Sequence, residues 1–124
     1  LGPLTNSDDA KKFLLMRMRD YDKENFACMF LDTKNCVIAF EELFSGTLHS
    51  AEVRTREVIK RALNHNAHSI IFAHNHPFEN SKPSQFDIEL TLMLRDVLKI
   101  MEIKVLDHLV IGDTVQSLAE LGHL

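Results

Sequence analysis

Basic clusters, cysteine pairs, long apolar runs and targeting signals are all missing from this 124-residue sequence. Lys and Arg number 14 against 18 Asp and Glu, a net charge of -4, and adjacent basic residues such as Lys60-Arg61 never extend beyond a pair. Nucleic-acid modules usually carry the opposite sign, because Lys and Arg must neutralise phosphates. Nothing in the chain alone argues for contact with DNA or a membrane surface. Only two cysteines occur, Cys28 and Cys36, at a spacing that fits neither a CxxC redox motif nor a cysteine zinc cluster. Both lie in apolar, strand-like stretches and read as buried, reduced thiols. No apolar run approaches the ~20 residues of a membrane span. The opening LGPLTNSDDAKK lacks the basic and apolar regions of a signal peptide, so the cytoplasm is the expected location.

What remains is ordinary globular composition, 45% apolar and 26% charged. A chain of this length buries roughly two-thirds of its unfolded surface and needs no disulfide or metal to fold. Residues 1–6, with Gly2 and Pro3, read as a lead-in or the cut end of a longer chain, and residues 7–124 as one domain. Ser7, followed by Asp8 and Asp9, is a candidate cap for a helix to about Tyr21, with Phe13, Leu14, Met16 and Tyr21 as its apolar stripe. Residues 25–31 and 36–44 read as two strands joined by an Asp32-Thr33-Lys34-Asn35 turn. Helical spacing resumes from about Glu52 to Asn64, with Val53, Val58, Ile59, Ala62 and Leu63 inward. Residues 69–73, SIIFA, make a continuously apolar strand of the kind buried on both faces. Ser84 then opens a long helix from Gln85 to about Met101. The segment IKVLDHLVIGD reads as two short strands around Asp107-His108, with a further strand near Val115–Ser117. The order α-β-β-α-β-α-β-β predicts an α/β fold, a mixed sheet with helices on both faces.

The chemically informative stretch is His74-Asn75-His76-Pro77, six further residues, then Ser84-Gln85-Phe86-Asp87. In an extended chain residues two apart share a side, so His74 and His76 can present both imidazoles to one point. Ser84 as N-cap puts Asp87 at the third helical position, its carboxylate turned back toward the strand end. Ser84 and Asp87 taken alone would be a capping box, a geometry compatible with metal binding by Asp87. Two imidazoles and one carboxylate leave a fourth tetrahedral position open, the arrangement of a catalytic zinc ion. Other residues carry less weight. His49, His65, His68 and His123 read as surface positions, and Met16, Met18, Met93 and Met101 as helix residues filling the core.

The run H-x-H-x7-S-x2-D resembles the signature of the JAMM (JAB1/MPN/Mov34) zinc metalloprotease-like domains. His74-Asn75-His76-Pro77 and Lys82-Pro83-Ser84 are similar to the bacterial RadC family. So are Leu31-Asp32-Thr33-Lys34-Asn35, Leu43-Phe44-x-Gly46-Thr47-Leu48, Arg56-Glu57-Val58 and Leu106-Asp107-His108-Leu109. The resemblance covers nearly all of the chain from about residue 7. It implies a three-layer α/β/α fold similar to cytidine deaminases, with Zn2+ held by His74, His76 and Asp87. It also implies that Ser84 steadies a developing oxyanion. A glutamate at the start of the first strand would be the general base, and Glu24 fits the family's Glu-x-Phe pattern there. Spacing alone does not select Glu24 over Glu41, Glu42 or Glu52. Asp107-His108 matches the family as well, and its duty is open between lining the pocket, orienting a ligand and supporting a strand end.

The sequence departs from the family pattern at Phe78-Glu79, where Ser-Gly is usual, which alters the loop and with it substrate access. The family's helical N-terminal region with a DNA-binding-like motif is not among these residues. The resemblance therefore implies a zinc hydrolase acting on an amide or isopeptide-like bond in an unidentified protein or peptide-like substrate, with self-association left open. Two other readings compete: a non-catalytic partner-binding scaffold, and a nucleic-acid enzyme in line with the family's DNA-repair label. The zinc deaminases use H-x-E with P-C-x-x-C, and this chain has no such cysteines.

Overall fold

The computed structural model describes residues 4, 6–46, 53–77 and 80–124. Gly2, Pro3, Thr47, Leu48, His49, Glu52 and the Phe78-Glu79 pair lie outside the described residues.

Five strands form one mixed sheet in the order β2-β1-β3-β4-β5. β1 (Asn25–Leu31) lies between β2 (Val37–Ser45) and β3 (Ser69–Asn75), antiparallel to both. β3 runs parallel to β4 (Lys104–Ile111), and β5 (Val115–Ser117) closes the far edge antiparallel to β4. The parallel pair is bridged by helix α3 (Gln85–Ile100), since a parallel connection needs a crossover. Every residue of β3 is buried, as its continuous apolar run predicts for a strand covered on both faces.

The two faces carry separate cores. Phe26, Phe30, Ile70 and Phe72 meet Val58 and Ala62 of α2 (Thr55–Asn64) and Leu90, Leu94 and Leu98 of α3. On the opposite face Ala27, Met29, Leu31, Ile71, Ala73 and Leu109 meet Ala10, Leu14 and Met18 of α1 (Ser7–Met18). This is the three-layer α/β/α arrangement of the sequence reading. Phe26, Phe30 and Phe72 are fully buried, each stabilising the fold by roughly 1.5–3 kcal/mol relative to exposure.

Several local expectations are corrected. Asn6, not Ser7, caps α1: its side-chain oxygen accepts from the Asp9 amide at 3.1 Å. The buried stripe of α1 runs at four-residue spacing through Ala10, Leu14 and Met18, so Met16, on the opposite side, is 82% exposed. Met93, Met101 and Leu63 are also exposed rather than inward. Helix α2 begins at Thr55. Cys28 is buried and burial pushes its thiol pKa up, whereas Cys36 is only half-buried; both are free thiols. His65 is half-buried, in contact with Phe30 and Glu41. The segment around Asp107-His108 is one continuous strand rather than two, because both polar side chains find partners without a turn.

Candidate metal centre

Alternation along β3 sends Phe72 and His74 toward the α2/α3 face, and the N-terminus of α3 sits over that end of the strand. Ser84 caps α3 as its spacing predicts. Its hydroxyl accepts from the Asp87 amide at 3.1 Å, and its own amide donates to Asp87 Oδ2 at 2.8 Å. The capping box turns the Asp87 carboxylate back onto the strand, fully buried. Asp87 Oδ1 lies 2.8 Å from His74 Nδ1, and Oδ2 lies 3.5 Å from His76 Nε2. The ring centroids of His74 and His76 are 4.8 Å apart. Glu24 stands at the start of β1 with its Oε2 3.8 Å from His74 Nε2. All five residues named from the sequence thus meet at one end of β3.

Hydrogen-bond partners fix where the imidazole protons sit. His74 Nδ1 faces a carboxylate oxygen and His76 Nδ1 the Asn80 carbonyl at 3.1 Å, both of which can only accept. Each of these two rings therefore carries a proton on Nδ1. The same holds for His108 on β4. Thr91 Oγ1 donates its one proton to the Asp87 carbonyl at 2.6 Å, so the 2.6 Å contact with His108 Nδ1 has the imidazole as donor. Among the described residues, the Nε2 atoms of His74 and His108 are buried without a hydrogen-bond partner.

Electrostatics keep this donor set in the form a cation needs. Burial alone would raise the Asp87 pKa, but the His74 and His76 imidazoles outweigh it and hold the carboxyl well below the usual range. Burial lowers the His108 pKa to about 4, so its ring is neutral at physiological pH. His74, Asp87 and His108 each offer one donor atom, all within 4.8 Å of one another. Imidazoles anchored through one ring nitrogen, beside an ionised carboxylate, fit a divalent metal ion. Ser84 Oγ donates to Asp87 Oδ2 at 2.9 Å, so its proton is engaged with the carboxylate.

Residues 4–123 match the RadC-like JAB domain family. The chain belongs to that family. It is 54% identical over 121 residues to a UPF0758 protein of Thioalkalivibrio sulfidiphilus, covering 98% of this chain and 54% of the relative. A UPF0758 protein of Vibrio cholerae is 47% identical over 121 residues, covering 98% and 77%. One of Cellvibrio japonicus is 50% identical over 126 residues, covering 100% and 56%. The chain thus spans about half the length of two of these three relatives. No described helix of this RadC-like domain is long and apolar enough to cross a membrane.

Two of the rival glutamates of the RadC-like domain, Glu41 and Glu42, are engaged elsewhere. Glu41 holds Arg61 and His65 at 2.5 and 2.6 Å, and Glu42 accepts from the Tyr21 hydroxyl. Asn75 went unassigned in the sequence although it lies between the two histidines. Its Oδ1 accepts from the Asn25 amide at 2.7 Å and its Nδ2 donates to the Lys23 carbonyl at 2.9 Å. The Gly46 amide binds the Glu24 carbonyl at 2.8 Å. Gly46 adopts φ 107, a conformation open to glycine. A polar residue closing a continuously apolar strand was the available signal for Asn75. Asp107 and His108 divide their duties. His108 joins the site, whereas Asp107 faces the α1 side and binds Ser117 Oγ and the Ala119 amide, the latter at 3.0 Å.

Proposed function

We propose that this domain binds one zinc ion and hydrolyses an amide or isopeptide-like bond in a protein or peptide substrate. His74, His76 and Asp87 would hold the ion. The observation that carries the reading is the convergence of three potential donors at one end of β3: a fully buried, ionised Asp87 with Oδ1 2.8 Å from His74 Nδ1 and Oδ2 3.5 Å from His76 Nε2. A surface loop that merely happened to contain two histidines would have no reason to bury the carboxylate beside them.

When bound, the ion would lower the pKa of water to about 7 and polarise a carbonyl. The rest of the chemistry falls to the chain. Glu24 would take a proton at its carboxylate and return it to the departing amine, a general acid–base duty. Its backbone is held on three sides by Asn75 and Gly46, so the carboxylate's approach is set by the sheet rather than by a free loop. Ser84 would turn its hydroxyl from Asp87 Oδ2 to the developing oxyanion as the carboxylate engages the ion.

Metal analysis of wild type against His76→Ala, with anomalous scattering to locate the ion, tests the reading. Near-stoichiometric zinc in contact with Asp87, lost in the variant, is the expected result. Wild type that carries no zinc after purification without chelators would sink it.

A further inference from the structure

His76 is held from two directions by one corner of the sheet. Its backbone amide donates to the Ile111 carbonyl, at the end of β4, at 2.7 Å. Its ring donates from Nδ1 to the Asn80 carbonyl at 3.1 Å. Because that acceptor belongs to the main chain, its place depends on what holds the peptide between Asn80 and Ser81. Asn80 Oδ1 accepts from the Lys82 amide at 3.0 Å, which shapes the turn internally but ties it to no other element. The tie comes one residue on. Ser81, only 2% exposed, shares a 2.9 Å hydrogen bond between its Oγ and Thr114 Oγ1. Thr114 stands in the tight turn between β4 and β5, its carbonyl accepting from the Gly112 amide at 2.8 Å. Residues 80–83 also border an open cleft shared with Asp113, Gln116, Leu121 and His123, so that flank of the segment faces space rather than packed side chains.

We propose that the Ser81–Thr114 hydrogen bond is a latch that positions the His76 imidazole for the metal, the two hydroxyls acting through the Asn80 carbonyl. The proposal rests on the zinc reading above and goes beyond it, because the H-x-H, Ser84 and Asp87 signature includes neither residue. The contacts close a circuit. It runs from the His76 amide to Ile111, along the turn to Thr114, across to Ser81, and back through the Asn80 carbonyl to His76 Nδ1. Main chain and ring of one metal ligand are thus referenced to the same four residues, 111–114. An imidazole held at its second nitrogen is fixed in orientation toward the ion. Opening the circuit at the hydroxyls frees the Asn80 peptide to drift, and the ring turns with it. The latch adds no donor atom, so the water position of a hydrolytic site stays open. Ser81 and Thr114 are positioning residues.

Chelator competition on the intact domain reads the latch through the zinc Kd. Thr114→Val keeps the shape of an exposed side chain and removes its hydroxyl, and Ser81→Ala removes the other. Each should raise Kd about tenfold, the lower end of what losing an outer partner of a metal ligand costs. The double variant should do no more than either single one, since all three lose the same hydrogen bond. Thr114→Ser should restore the wild-type Kd. Asp107→Ala, which loosens β4 on its α1 side, controls for a merely structural loss and should leave Kd within severalfold. In the metal-free domain, nitrogen-15 NMR of the His76 ring gives a second readout. Its Nδ1 proton should exchange slowly with solvent in wild type and lose that protection in both single variants. An unchanged Kd in the single variants overturns the proposal, as do effects that add in the double variant or persist in Thr114→Ser. Wild type that binds no zinc sinks the zinc reading instead, and proton exchange then decides the latch. Equal protection in wild type and variants overturns it with or without metal.

Discussion

Asn75 holds the peptide groups on both flanks of Glu24 through a single amide side chain. The residue between the two histidines therefore joins the metal-binding end of β3 to the start of β1. Asn75→Ala should leave the Lys23 carbonyl and the Asn25 amide without their partner and cost about 1–3 kcal/mol in urea denaturation. Zinc stoichiometry should be unchanged, since no proposed ligand is lost. A variant of unaltered stability would show that water replaces the amide at no cost.

Glu24→Gln keeps size and hydrogen-bonding capacity but removes the proton acceptor. Zinc content should match wild type, and turnover of any amide or isopeptide substrate should fall about 10²–10⁴-fold, the usual worth of a general base. Single-turnover assays on a metal-quantified sample check both. Full activity in the variant would assign the base elsewhere.

Asp107→Ala should destabilise the fold while sparing the metal. The carboxylate accepts from the His108 and Ala119 amides at 2.7 and 3.0 Å and from the Ser117 hydroxyl, tying the C-terminal turn to β4. Hydrogen bonds to a charged group contribute about 1.5–3 kcal/mol, so a loss of about 3 kcal/mol is expected. Denaturation monitored by circular dichroism measures it, and zinc affinity changed by less than severalfold marks the loss as structural.

Acid should weaken the link between β2 and α2. Burial would raise the Glu41 pKa, but hydrogen bonds from His65 and Arg61 outweigh it and hold the carboxyl below its ordinary 4.5. Just below that value the unfolded chain binds the proton and the folded chain does not. Stability therefore falls as pH falls. The contribution is full above pH 4.5 and lost as pH drops through the lowered folded value. Glu41→Gln should thus be less stable than wild type just above that pH, and the gap should narrow below it. The group is partly exposed, so the gap is about 1 kcal/mol or less. Melting curves across a pH series on both proteins test this.

What the sequence disclosed depended on how local each feature is. The SIIFA run, the H-x-H spacing and the Ser84–Asp87 capping box are encoded within a few residues, and each was legible from periodicity and helix-end chemistry. The family motifs added Glu24, which spacing could not separate from Glu41, Glu42 or Glu52. Asn75 could not be assigned, because its partners Lys23 and Asn25 are some 50 positions away and only the β1–β3 pairing brings them together. Likewise, Ser7 and Asn6 are equally good caps, and only the turn geometry chooses Asn6. Met16 was misassigned since hydrophobicity alone does not say which side of a short helix faces the sheet.

The irregularity in the β3–β4 pairing has a further meaning. Ile70 pairs with Val105, but Ile71 pairs with Asp107, so Leu106 is an extra residue in β4. Because side chains alternate, one added residue exchanges the two faces of everything after it. Counted without the insertion, Asp107 would turn toward Phe72 and His74, and His108 toward α1. A second carboxylate would then crowd Asp87, and the anchor for the C-terminal turn would be an imidazole. A single bulged residue thus decides whether the floor beneath His74 is basic or acidic, and the chain sets the character of its inner wall by backbone register as much as by side-chain identity.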